Sequence, residues 1–153
     1  MQERIVILHN IRSTHNVGSI FRTADAAGVS KVYLTGYTPA PVDRFGRAQK
    51  DIAKTALGAQ DYVPWEQGTI QAVLKKLKKE GVVIAAVEQD QQAVSLTEYI
   101  VPARVAFIFG NEVRGVSTQL RAQSDAIIEI PMHGKKESLN VSVTAGIVLF
   151  HSK

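Results

Sequence analysis

Three segments of the chain bring together side chains able to bind and move charge. The first, NIRSTHNVGSIFRTADAAGV, enters a helix-like stretch and carries Asn16 and Arg22. Val17, Ile20, Phe21 and Ala24 form the stripe that such a helix would bury, and Arg22 lies on or beside it. Arg22 is therefore either a structural arginine paired with a carboxylate, or a cation reaching into a cleft to hold a phosphate or a reacting hydroxyl. Asn16 reads as the N-cap of the helix, its side-chain oxygen accepting an orphan backbone N–H. The second segment, FIFGNEVRGVS, leaves a strong apolar run at Phe109 and turns through Gly110, Asn111 and Gly115. Glycines in such a turn let main-chain amides come close to a ligand, as any tight turn also requires. Glu112 stands in this turn, placed either to bond a substrate or to pair with Arg114. The third, IEIPMHGKKESLNVSVTAGIVLF, passes from a strand through a loop to a helix start crowded with Ser138, Asn140 and Ser142. Ser138 or Asn140 is the expected N-cap. Ser142, Thr144, Ala145 and Gly146 beyond it allow close backbone approach, to a neighbouring segment, a second subunit or a ligand.

Other chemistries are ruled out by composition and spacing. The 153 residues include no cysteine, which removes disulfides, thiolate zinc sites and cysteine nucleophiles, and four scattered histidines give no metal-ligand spacing. The second segment has neither the GxGxxG spacing of a dinucleotide-binding turn nor the GK[ST] of a P-loop. A formal charge of +4 favours a polyanionic partner through counterion release. The KKLKKE run at Lys75–Glu80 reads as the C-terminal turn of a helix, where lysines complement the dipole and Gly81 provides the stop. Tyr37, Tyr62 and Trp65 are too dispersed for a base-stacking platform.

The elements that must position these residues follow from periodicity. Short apolar runs at Ile5–Leu8, Val32–Leu34, Val82–Val87, Val105–Phe109 and Ala126–Ile130 read as buried strands. Helix-like stretches at Asn16–Ala27, Gln49–Leu57, Ile70–Lys79, Ser117–Gln123 and Asn140–His151 alternate with them. The pattern predicts an α/β fold, a parallel sheet with helices on both faces. Ligands bind such sheets at the carboxyl ends of strands, where all three segments begin. Thr38–Gly46, with two prolines and a glycine, reads as an exposed loop. The length and the 45% hydrophobic content predict one domain over residues 1–153, and no apolar run or leader pattern suggests a membrane or an export route, so a cytoplasmic protein is expected.

Taken in order, NVGSIFRTADAAGV, FIFGNEVRGVS and IPMHGKKESLNVSVTAGIVLF resemble the three signature motifs of the SpoU (TrmH-like) family of the SPOUT superfamily. The resemblance covers virtually the whole chain and leaves no extra RNA-binding domain. It implies a deep C-terminal trefoil knot, which general topology rules would count as improbable. It also implies S-adenosylmethionine as the cofactor, held without a metal by Phe109, Gly110, Asn111, Gly115, Ile130, Met132, Ser138 and Leu139. The implied reaction is methyl transfer to a ribose 2′-hydroxyl of RNA. Arg22 would contact phosphate and help activate the hydroxyl, Asn16 and Glu112 would position substrate and shape the site, and Asn140 would order the third motif, whose serine is matched by Ser138. Arg12, Arg22, Arg44 and Arg47 are the expected RNA contacts, a homodimer the expected assembly, and transfer RNA, for so short a chain, is favoured over ribosomal RNA. The alternative is a SPOUT-fold RNA-binding or ribosome-assembly protein without turnover, against which the filled positions at Arg22, Glu112, Ser138 and Asn140 argue.

Overall fold

A computed structural model describes residues 2–151; Met1, Ser152 and Lys153, which the predicted domain includes, lie outside the described residues. The chain runs β1 (Glu3–His9), α1 (Thr14–Ala27), β2 (Lys31–Thr35), α2 (Lys50–Ala56), a short 3-10 turn (Ala59–Asp61), β3 (Trp65–Gly68), α3 (Ile70–Lys79), β4 (Val83–Val87), β5 (Val94–Ser95), β6 (Arg104–Phe109), α4 (Thr118–Gln123), β7 (Ala126–Glu129) and α5 (Val141–His151). The seven strands form one sheet in the order β3-β2-β1-β6-β4-β7-β5, and every pairing is parallel. The predicted α/β class and the five apolar strands are present. Two strands were not anticipated: β3 reads WEQG and β5 only VS, both edge strands without an apolar run.

Alternate strand residues feed two cores, as the pleat requires. Val6 and Leu8 of β1, Val32 and Leu34 of β2, and Val105, Phe107 and Phe109 of β6 pack on the face covered by α1, α2 and α5. Ile5, Ile7, Tyr33, Ala106 and Ile108 pack on the opposite face, against Val73, Leu74 and Leu77 of α3 and Leu120 of α4. Val17, Ile20, Phe21 and Ala24, the predicted stripe of α1, are fully buried. Gly18 sits where α1 crosses α2: a Cβ there would stand 2.5 Å from the Ile52 carbonyl oxygen, so only glycine allows this helix contact.

Arg4 joins the beginning of the sheet to the end of the chain. Its guanidinium is buried and has no carboxylate partner among the described residues; it donates to the Leu149 carbonyl of α5 (2.8 Å) and to the Ala27 carbonyl closing α1. Burial lowers its pKa, and the carbonyl ends of two helices supply the compensating negative potential. Among the described residues, no helix is long and apolar enough to cross a membrane.

Two local expectations are corrected. Ser13, not Asn16, caps α1: its hydroxyl accepts the Asn16 N–H at 3.1 Å, and Asn16 lies buried in the first turn. The Thr38–Gly46 loop is exposed only from Val42 onwards. Thr38 is buried because its hydroxyl donates to the Leu8 carbonyl (2.8 Å) and accepts from the Ile11 N–H (3.0 Å), and Ala40 packs into the core.

Candidate active site

A cleft of about 390 Å³ opens at the carboxyl ends of β6, β4 and β7, three adjacent strands. Its walls come from the loops after those strands and from the segment leading into α5. Phe109, Gly110, Asn111, Gly115, Ile130, Met132, Ser138 and Leu139, the residues expected to hold a cofactor, all line it. So does Glu112.

The turn after β6 is built from its own backbone. Gly115 takes φ +67° and donates its N–H to the Asn111 carbonyl at 2.8 Å. A Cβ on Gly110 would stand 2.4 Å from the Gly115 carbonyl oxygen, so this glycine is required by the turn closing on itself rather than by approach to a ligand. Asn111 is the hub. Its Oδ1 accepts the Val113 and Arg114 N–H groups, both at 2.9 Å, while its Nδ2 donates to the Asn10 carbonyl (3.0 Å) and to Tyr37 Oη (2.9 Å). The turn is thereby fastened to the loops after β1 and β2.

Glu112 neither faces Arg114 in an ion pair nor waits in solvent. Its Oε1 accepts the Arg12 N–H (3.0 Å), and its Oε2 accepts the Ser13 N–H (2.9 Å) and the Asn16 Nδ2 amide (3.1 Å). Burial by itself would raise the carboxyl pKa; the N–H groups of Arg12, Ser13 and Glu112 itself, with the Asn16 amide, outweigh it and leave the value lowered. A carboxylate at the start of α1 also complements the positive end of the helix dipole. Asn16 and Glu112 are thus one unit, locking the first motif to the second across 96 residues.

Asn140 is the N-cap of α5, accepting the Ser142 N–H at 2.8 Å and the Ser142 hydroxyl at 2.6 Å. Ser138 is exposed on the cleft wall, two residues before it. Arg22 is exposed on α1 and makes no ion pair or hydrogen bond among the described residues, so the reading that gave it a structural carboxylate partner does not hold. It does not line the cleft; six residues along α1 from Asn16 amount to about 9 Å of helix. Arg12 meets the site through its backbone, and its side chain is exposed. Arg44 and Arg47 are exposed in the loop between β2 and α2 and do not line the cleft. The small side chains of α5 are used within the chain: Ala145 is buried, and Gly146 brings α5 near Thr23 of α1.

Among the wall residues that sequence reading missed are Glu88, Gln89, Glu129 and Glu137. Glu88 accepts the Val116 N–H at 2.9 Å, and Gln89 donates to the Glu137 carbonyl, so the loop after β4 braces both neighbouring loops. Their position just beyond a strand end was the available signal. With Glu112 they give the cleft four carboxylates against the single cation of Arg114.

An open parallel sheet with a cleft formed by the loops of three adjacent strands defines an α/β protein that binds a small ligand at its carboxyl edge. The chain belongs to the SpoU rRNA Methylase family, whose model matches residues 3–150. It is 35% identical over 150 residues to the 23S rRNA (guanosine-2′-O-)-methyltransferase RlmB of Neisseria meningitidis serogroup B, covering 97% of this chain and 57% of that protein. An AdoMet-bound rRNA methyltransferase from Sinorhizobium meliloti superposes with a TM-score of 0.89 at 28% identity, over 98% of this chain and 55% of that one. The A. aeolicus TrmH/SpoU tRNA modifying enzyme gives a TM-score of 0.83 at 29% identity, over 99% of this chain and 74% of its own. The chain therefore spans a little over half the length of the RlmB protein it matches.

Proposed function

We propose that this chain transfers the methyl group of S-adenosylmethionine to a ribose 2′-hydroxyl of RNA. The observation that carries the reading is the convergence of the second and third motifs on one cleft rich in carboxylates. S-adenosylmethionine is positively charged at sulfur and at its amino group, so walls bearing Glu88, Glu112, Glu129 and Glu137 suit it by charge, and Phe109, Ile130, Met132 and Leu139 offer apolar surface to its adenine. The cleft volume lies within the range of small-molecule sites. The AdoMet-bound relative supports the same reading.

When bound, the cofactor would supply an electrophilic methyl group, and the proton released from the methylated hydroxyl would pass to solvent. The chain's own work is positioning and charge. Ser138 and Leu139 hold the cofactor side through a segment that Asn140 orders by capping α5. Asn16 and Glu112 fix the start of α1, the helix that presents Arg22. Arg22 serves by holding phosphate and stabilising negative charge developing on the hydroxyl oxygen.

The reading extends to the assembly. One catalytic domain over residues 1–153 acts in the cytoplasm as a homodimer, with the segment after β7 threaded into a trefoil knot. The adjacency of β6, β4 and β7 and the return of α5 to α1 support the knot. The dimer face moves from the small residues of α5 to Val143 (51% exposed), Ile147 (39%) and Phe150, which form an apolar outer stripe at helical spacing. The relatives named for 23S rRNA guanosine put ribosomal RNA beside transfer RNA as substrate. The test is calorimetric titration with S-adenosylmethionine and S-adenosylhomocysteine, followed by tritiated methyl transfer to bulk transfer and ribosomal RNA. Cofactor binding with label in alkali-resistant ribose methylation is expected. A folded protein that binds neither compound overturns the reading in favour of RNA binding without turnover.

A further inference from the structure

The loop between β2 and α2 ends in a small ordered tip. Asp43 Oδ1 accepts the N–H groups of Phe45 (2.8 Å) and Arg47 (3.0 Å), and Oδ2 pairs with Arg47 Nε at 3.0 Å. The main chain closes as Asp43 N–H donates to the Arg47 carbonyl (2.8 Å) and Gly46 N–H to the Asp43 carbonyl (2.9 Å), and Val42 bridges Ala48. What this scaffold displays is an aromatic ring in water. Phe45 is 66% exposed, and the guanidinium carbons of Arg44 and Arg47 stand 4.8 and 5.0 Å from its ring centroid. No residue from 42 to 48 belongs to either hydrophobic core, so packing does not account for the ring.

We propose that the tip is a base-stacking clamp, in which an unpaired nucleobase of the RNA stacks on Phe45 and the adjoining guanidinium planes while Arg44 and Arg47 meet the phosphates beside it. Every base has a π-face, and single-stranded RNA is held by aromatic and arginine planes together with cations; the tip combines both on a turn already ordered before binding. Its position fits. The loop follows the carboxyl end of β2, on the edge of the parallel sheet where the cleft opens, and Tyr37 at its start accepts a hydrogen bond from Asn111 of the cleft turn. RNA gripped at Phe45 is thereby held on the edge that presents the cleft. The clamp rests on the RNA reading above, and names a residue that the motifs do not contain.

The experiment uses the full chain and a short single-stranded RNA carrying one 2-aminopurine, whose fluorescence falls when the base stacks. S-adenosylhomocysteine titration of each variant reports the fold and the cleft separately. Phe45→Ala and Phe45→Leu should bind the RNA about 5- to 100-fold more weakly and lose the quench, whereas Phe45→Trp keeps both, and all three bind S-adenosylhomocysteine as the parent does. Asp43→Ala, which releases the turn, should weaken RNA binding in the same direction. If the parent binds and quenches while Phe45→Ala and Phe45→Leu match it, the clamp is wrong and the RNA reading stands. If the parent binds no RNA, both fall.

Discussion

Replacing Glu112 with glutamine tests whether the two motifs are held together by charge. The carboxylate accepts the Arg12 and Ser13 N–H groups and the Asn16 amide, on two different oxygens. Glutamine keeps one acceptor and turns an NH₂ towards at least one of those donors. Hydrogen bonds to a charged group contribute about 1.5–3 kcal/mol each, and water reaches this half-buried site to replace part of the loss. Loss of the anion at the start of α1 adds about 0.3–1 kcal/mol. Glu112→Gln should therefore cost about 2 kcal/mol at pH 7, measured by urea denaturation at fixed protein concentration. The pH dependence separates this from a generic defect. The folded pKa of Glu112 is lowered below the unfolded value of about 4.3, so its contribution is complete above that value and disappears as the pH falls through the folded one. The gap between parent and variant should be constant from pH 5 to 8 and close as the solution is acidified below about pH 4. A gap that persists unchanged in acid, or no gap at pH 7, would refute the argument.

Three other outcomes follow from the structure. Gly110→Ala places a methyl group against the Gly115 carbonyl, so the turn must open; destabilisation of about 1–3 kcal/mol should accompany a loss of S-adenosylhomocysteine binding seen by calorimetry. Arg22→Ala removes an exposed side chain that lies outside the cleft, and should reduce tritiated methyl transfer at least about 100-fold while cofactor affinity stays within about two-fold of the parent. Near-normal turnover would remove Arg22 from the mechanism. Ile147→Glu puts a charge in the middle of the α5 stripe and should convert the dimer into a monomer by light scattering; a parent protein that is already monomeric would sink the dimer.

The fold was legible where the chain is apolar and buried on both sides. The runs in β1, β2, β4, β6 and β7 announce themselves, and Ile70–Lys79 matches α3 residue for residue. β3 and β5 are invisible to such reasoning, because WEQG and VS are strands only by pairing with β2 and β7. The capping error has a similar cause. Ser13–Asn16 reads STHN, a polar run in which the cap was placed at Asn16; Asn16 instead has a partner 96 residues away, which no local pattern contains. The cleft residues were named through the motifs, whereas Glu88, directly after a predicted strand, lies in none of the three segments, and Glu129 was read as part of a strand. The exposure of the loop carrying Phe45 was legible in its composition and holds from Val42 onwards, whereas the Asp43 turn that orders its tip was not.

The buried Arg4 sets a timetable for the chain as it is made. Its guanidinium finds one acceptor at Ala27, early in the sequence, but the other at Leu149, 145 residues after itself. At a ribosomal pace of about 5–20 residues per second, roughly 7–30 s separate synthesis of the donor from synthesis of that acceptor. Until α5 emerges and docks, the Arg4 guanidinium lacks one of its two carbonyl acceptors, and burying it then costs free energy. The same interval precedes completion of the cleft, since Ser138 and Leu139 lead directly into α5. A nascent chain thus completes its cleft late, because α5 finishes both the core and the segment that leads out of the cleft wall.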